Sequence, residues 1–170
     1  SKKVIAMEAL VRWHDEEIGT VTPDELIPIA EETGLISEIG MFMLEKACLQ
    51  AVDWHAQGHD LKVSINSSIR EFRGKNVAKT MLEIIERTGC PTTSIHLEIT
   101  EKFALEAESE TSIMAQMRTL EQAGISFILD DFGTGYASFR YMQLLPIKTL
   151  KIDQTFIASM LKSEKSAQIV

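Results

Sequence analysis

Five apparent strands of this chain end on side chains that bind metals or move protons: Glu8, Asn66, Glu98, the adjacent Asp130 and Asp131, and Lys151 with Asp153 just beyond it. An ionised carboxylate beside a dry core is costly unless something compensates it. Carboxylates gathered from separate strands point to a divalent cation as that compensation. Asp130 and Asp131, followed by Phe132-Gly133-Thr134-Gly135-Tyr136, can reach two different cations, as a two-metal centre with ions roughly 3.5–4 Å apart requires. The plainer reading of the pair is a turn in which an aspartate caps its own backbone. Asn66 offers a neutral carbonyl oxygen, suited to Mg2+ or Mn2+ and not to Zn2+; its plainer reading is a strand-end Asx turn. Glu8 has Arg12 nearby in sequence as a simple ion-pair partner. Glu98, flanked by Leu97 and Ile99, needs a cation or a buried basic partner, and Lys151 suits either that pairing or the orientation of a nucleophilic water. Asp-Phe-Gly alone would suggest a kinase, but a glycine-rich loop before a strand lysine and a His-Arg-Asp loop are both absent.

The elements that must position these groups alternate between period-two and helical stretches, which argues for a parallel sheet of βα units. Strands are expected over 4–10, 61–66, 94–99, 126–130 and 149–153. Thr22-Pro23-Asp24-Glu25 reads as an N-cap, a first-turn proline and the glutamate of a capping box, with Gly34 as the stop. A second helix is expected from Ser37 to Gly58 with Ile39, Met43, Ala47, Ala51 and Trp54 on one stripe. A third covers 75–88 and stops at Gly89, and a fourth covers 106–123 with Ile113, Met114, Met117 and Leu120 inward. Successive strand side chains point to opposite faces. One face is then apolar throughout: Ile5, Met7 and Ala9; Val63 and Ile65; Ile95, Leu97 and Ile99; Phe127 and Leu129; Leu150 and Ile152. The other carries Glu8, Ser64, Asn66, His96, Glu98, Ser126, Asp130, Thr149, Lys151 and Asp153. An apolar face under helices and functional groups at the strand C-termini are how a (β/α)8 barrel is built; a doubly wound open sheet would be apolar on both faces. Such barrels need roughly 250 residues, so the 170 residues here are expected to be a central fragment lacking the first and last strands.

Net charge is −8, from 17 basic and 25 acidic side chains, which disfavours a DNA or RNA polymer as ligand and requires any phosphate to be held locally. Cys48 and Cys90 lack metal-ligand spacing and read as small buried hydrophobes in a reducing compartment. No apolar run reaches the roughly 20 residues of a membrane span, so the segment is expected to be soluble and cytoplasmic. His55 and His59 straddle Gly58 and read as a solvated helix end, His14 as a loop residue, and His96 as a satisfied interior polar group.

The ordered motifs Glu-Ala-Leu-x-Arg-Trp at 8–13, Thr-Pro-x-x-Leu-Ile-Pro-Ile-Ala-Glu-Glu-Thr-Gly-Leu-Ile at 22–36, Asn66-Ser67-Ser68, Leu-Glu-Ile-Thr-Glu at 97–101, Asp-Asp-Phe-Gly-Thr-Gly-Tyr at 130–136 and Leu-Pro-Ile-Lys-Thr-Leu-Lys-Ile-Asp at 145–153 resemble the bacterial EAL domain over nearly the whole chain. The resemblance implies a TIM-type barrel that opens cyclic di-GMP to the linear dinucleotide pGpG with two Mg2+ or Mn2+ ions. It implies Glu8, Asn66, Glu98, Asp130 and Asp131 as metal ligands, with Lys151 positioning the attacking water. It further implies Arg12 as a substrate-phosphate contact, Asp153 as a supporting acid and Glu101 as the residue ordering the loop after the Asp-Asp pair. That loop is linked in the family to formation of a homodimer. Residues 1–170 then correspond to the central part of the domain, truncated at both ends, within a parent whose other parts include, in some members, an inner-membrane anchor. The family's late glutamate and final glutamine have no counterpart here, and Ala137 stands where a serine is common. A catalytically inactive EAL domain serving as a cyclic di-GMP receptor or protein-interaction module is the alternative reading.

Overall fold

The computed structural model describes residues 3–133 and 143–160, without the side chains of Phe156, Ser159 and Met160. Its centre is a five-stranded, all-parallel sheet. The strands are β1 (Ala6–Ala9), β4 (Lys62–Asn66), β5 (Ile95–Thr100), β6 (Ser126–Phe132) and β7 (Ile147–Ile152), adjacent in that order. A short antiparallel ribbon, β2 (Trp13–Asp15) and β3 (Gly19–Val21), leaves the end of β1. It includes His14, which was expected in a loop and instead pairs with Thr20. Helices fill the connections from β3 to β4, β4 to β5 and β5 to β6: α1 (Pro23–Thr33) and α2 (Ile36–Ala56), α3 (Ile69–Phe72) and α4 (Val77–Thr88), α5 (Glu101–Glu108) and α6 (Thr111–Gln122), with α7 (Gln154–Met160) after β7. The fold is α/β, built as part of a TIM-type barrel.

Local chemistry accounts for both ends of α1. Thr22 and Glu25 form the expected capping box, Thr22 donating its backbone N–H and its hydroxyl to Glu25 Oε2 at 3.0 and 2.8 Å. Gly34 closes α1 at φ 83°, in the left-handed region that glycine enters without penalty. The single helix expected over 106–123 is two: Thr100 caps α5 by accepting the N–H of Phe103 at 3.2 Å, and the chain re-enters a helix only at Thr111. The periodicity of 113–120 was genuine, but it hid the break at Ser109 and Glu110 between the two helices. On α2 the buried stripe runs through Ile36, Gly40, Leu44, Ala47, Cys48 and Ala51. Ile39, Met43 and Trp54 are only partly covered, because this long helix packs against both the sheet and α4.

Val63, Ile65, Ile95, Leu97, Ile99, Phe127 and Leu129 form the core beneath the helices, joined by Phe72, which meets Phe103 edge-on at 5.4 Å. The expectation that the whole apolar face lies under helices fails at both margins. Ile5, just before β1, and Met7 on it are 70% and 46% exposed, and Leu150 and Ile152 on β7 are 41% and 40% exposed. Helices α2, α4 and α6 cover the three middle strands, and no described element flanks β1 or β7 on its outer side. Cys48 and Cys90, distant in sequence, are both buried in the core, where the neighbouring Cys90 thiol and burial push Cys48 up. Among the described residues no helix is long and apolar enough to cross a membrane.

Candidate metal and catalytic centre

Parallel register carries the functional side chains to one rim. Asn66 lies opposite Glu98, Glu8 opposite Ser64, and Thr100 opposite Asp130. The stagger from strand to strand lets groups from different levels meet, as tilted barrel strands do. Asn66 Nδ2 donates to Glu8 Oε1 at 2.8 Å, which turns the asparagine carbonyl oxygen away from that pair. Lys151 Nζ approaches three carboxylates: Glu98 Oε2 at 2.5 Å, Glu8 Oε2 at 3.5 Å and Asp130 Oδ2 at 3.7 Å. Glu8 therefore pairs with Asn66 and Lys151. Arg12 instead donates Nη1 to its neighbour Val11 O at 2.7 Å and stays exposed.

Two adjacent strand residues should face opposite ways, yet Asp130 and Asp131 both belong to this rim. The pairs Leu129↔Leu150 and Phe132↔Ile152 leave two residues of β6 opposite Lys151 alone, which is a β-bulge. Asp131 takes up the extra length at φ 55°, a left-handed conformation that aspartate tolerates better than most residues. Its N–H is held by Asp130 Oδ1 at 2.9 Å. Burial raises the Asp131 carboxyl above its ordinary range, with Asp130 and Asp153 adding to the shift and Lys151 opposing it. Asp153 follows β7, donates its N–H to Phe132 O at 3.2 Å and accepts the N–H of Thr155 at 2.7 Å, so it starts α7 at the edge of the rim. Glu101, 1% exposed, accepts the N–H of Gly133 at 3.0 Å and so grips the start of the segment after the aspartates. Thr134, Gly135, Tyr136, Ala137 and Ser138 lie outside the described residues, and with them the loop-order expectations placed there.

Electrostatics explain why this cluster needs more than Lys151. Three carboxylates surround one ammonium, a net deficit of two positive charges. Burial pulls Lys151 down, but Glu98, with Asp130 and Glu8, outweighs it and holds the ammonium above its ordinary value. At Glu98 the balance is reversed: burial raises the carboxyl despite Lys151. Glu98 is 1% exposed, and its Oε1 is buried with no hydrogen-bond partner among the described residues. A buried acceptor without a donor is a costly exception. An oxygen-only donor set with an orphaned carboxylate oxygen and an excess of two negative charges fits a hard divalent cation. Among the described residues no set of three such side chains is already gathered at binding distance of one point, and Lys151 stands among them. His96 does not behave as expected: its Nδ1 is buried without a partner among the described residues, and burial lowers its pKa.

Beside the rim, a cavity of about 550 Å3 opens between α1, α2 and the ends of β1, β4 and β5, reached by Arg12, Asn66 and Glu98. Sequence reading missed Glu71 on its wall. This carboxyl is 2% exposed, and burial pushes it up to about 7, against the pull of Ser68 N–H and Ser67 Oγ. Its i, i+3 spacing from Ser68, a capping-box signature, was the available signal. Because the folded value lies above the ordinary 4.5, the folded chain keeps a proton that the unfolded chain loses. The resulting stability is fully present below pH 4.5 and is lost as pH rises through about 7. Thermal melts of the full-length protein are expected to fall between pH 5 and pH 8 by an amount corresponding to at most about 3 kcal/mol. Glu71→Gln should flatten that slope, and an unchanged slope in the variant would assign the pH dependence elsewhere.

Comparison with known proteins places these observations in a family. The EAL domain model matches residues 1–170. The chain is 36% identical over 168 residues to the signaling protein YkoW of Bacillus subtilis, covering 99% of this chain and 21% of that protein. It is 35% identical over 169 residues to the bifunctional diguanylate cyclase/cyclic di-GMP phosphodiesterase MucR of Pseudomonas aeruginosa, covering 98% of this chain and 24% of that one. The solved PaMucR phosphodiesterase in complex with c-di-GMP superposes with a TM-score of 0.85 at 34% identity, over 97% of this chain and 66% of that chain. The chain thus spans less than a quarter of the curated relatives' length.

Proposed function

Given that this chain belongs to the EAL domain family, we propose that it supplies the catalytic rim of a two-metal phosphodiesterase that hydrolyses cyclic di-GMP to linear pGpG. The observation that carries this reading is the convergence of Glu8, Glu98 and Asp130, from three strands, on one ammonium that cannot neutralise them. Glu8, Asn66, Glu98, Asp130 and Asp131 would hold two Mg2+ or Mn2+ ions. Bound there, such ions supply Lewis-acid charge and acidify a water molecule.

The chain's own groups do the rest. Arg12, exposed on the ribbon side of the cavity, can swing from Val11 O to a phosphate, where a guanidinium matches two oxygens at once. Lys151, held above its ordinary pKa, remains cationic, orients the attacking water and offsets charge that grows on the phosphoryl oxygens. Asp153 anchors the turn beyond Lys151, and Glu101 holds Gly133 behind the aspartates. The family's alternative is a receptor that binds the dinucleotide without cleaving it.

The test is incubation of the full-length protein with cyclic di-GMP and Mg2+ or Mn2+, with product followed by chromatography. Linear pGpG is expected, and well-folded protein that binds the dinucleotide without forming product would establish the receptor instead. Arg12→Ala should raise KM about tenfold, the worth of one charge-assisted contact of roughly 1.5 kcal/mol, and change kcat less. An unaltered KM would remove Arg12 from the phosphate site.

A further inference from the structure

We propose that Glu71 is a positioning residue for Asn66: packed against Gly40, it fixes the Ser67-Ser68 turn and thereby the backbone position from which Asn66 presents its amide to the rim. This rests on the reading of that rim as a metal site. Glu71 Oε1 accepts the Ser68 N–H at 2.9 Å, and Oε2 lies 3.4 Å from Ser67 Oγ. The same two serines are gripped from other sides. Ser67 N–H donates to the backbone carbonyl of Glu98 at 2.9 Å, and Ser68 Oγ donates to Glu31 Oε1 of α1 at 2.5 Å. The turn directly after Asn66 is thus held by α1, by β5 and by Glu71, which fixes the backbone from which the asparagine reaches Glu8.

Gly40 explains how a carboxylate fits in that space. It sits inside α2, where glycine is a poor choice for helix stability. A Cβ there would lie 2.4 Å from Glu71 Oε2 and 2.6 Å from Cδ. Both distances are far inside contact, so a larger residue at 40 would expel the Glu71 side chain from its position. The partial neutrality that burial imposes on Glu71 does not weaken the brace, since a carboxyl oxygen accepts the Ser68 N–H in either protonation state.

The experiment measures Mn2+ affinity of the full-length protein by titration calorimetry, which needs no turnover, alongside kcat for cyclic di-GMP. Glu71→Ala and Gly40→Ala are each expected to weaken Mn2+ binding and lower kcat by about tenfold, the effect of losing a group that orients a metal ligand. Glu71→Gln, which keeps the acceptor, should restore both. On an Asn66→Ala background Glu71→Ala should add less than a twofold further loss, because it acts through the asparagine. If Glu71→Ala does not fold, Glu71→Met fills the same space without an acceptor and is expected to give the same tenfold loss. Wild-type Mn2+ affinity in folded Glu71→Met, or additive losses with Asn66→Ala, would overturn the proposal. Wild-type protein that neither binds Mn2+ nor turns over would refute the metal-site reading itself, a separate result.

Discussion

Asp130→Asn in the full-length protein is expected to reduce cyclic di-GMP hydrolysis by about 10³-fold or more while leaving the fold intact. The two halves of that expectation have different physical sources. Asp130 Oδ1 accepts the Asp131 N–H at 2.9 Å, and the amide oxygen of asparagine can do the same, so the bulge that holds Asp131 at φ 55° keeps its internal bond. What is lost is a negative charge facing Lys151 at 3.7 Å and, on the proposed reading, a ligand of the cation pair. Charge stabilisation by metal ions supplies several kcal/mol of barrier lowering, and about 4 kcal/mol corresponds to three decades of rate. The measurement is kcat at saturating Mg2+ or Mn2+, with a thermal melt as the control for folding. Equal turnover by the variant would place the chemistry elsewhere.

Lys151→Met should move stability, metal binding and catalysis in different directions. In chelator, loss of the ammonium leaves Glu98, fully buried, beside Glu8 and Asp130 with no counter-charge. Breaking a buried pair from one side costs roughly 3–5 kcal/mol, and because Lys151 is itself 37% exposed the lower end, about 3 kcal/mol, is expected. The melting temperature of the metal-free variant should therefore fall by several degrees. With Mn2+ the order changes. The site is now more negative by one charge, so the ion binds more tightly and its stabilising effect on the melt should exceed that seen with wild type. Turnover should nonetheless drop by about 10²–10³-fold, the range for removing one group that offsets transition-state charge. A variant melting like wild type in chelator would mean that Lys151 does not compensate the cluster. One with stronger metal binding and undiminished kcat would leave it a structural counter-ion alone.

Particular elements mark how far the residues could be read in order. The capping box at Thr22 and Glu25, the αL stop at Gly34 and the sheet parity of Glu98 and Lys151 between apolar neighbours were legible, since each depends on neighbours within a few positions. The split between α5 and α6 was not, because the helical period runs on in the letters through Ser109 and Glu110, where the chain leaves one helix and enters the next. The exposure of Ile5, Met7, Leu150 and Ile152 depended on which strands lie at the margins. Glu71 escaped notice because its burial is set by Gly40, thirty-one positions away, and not by anything beside it.

The order of residues by itself determined the family, the alternation of strand and helix, and the list of oxygen donors, for those are properties of residue type and short-range spacing. Only the tertiary structure decided that Lys151 stands among three of those carboxylates, that a bulge turns Asp131 toward the same rim, and that Glu98 keeps one buried oxygen without a donor among the described residues. Each of those facts arises where strands distant in the chain are brought into register, and a charge buried in a low-dielectric setting acquires its energy from whatever that register places beside it.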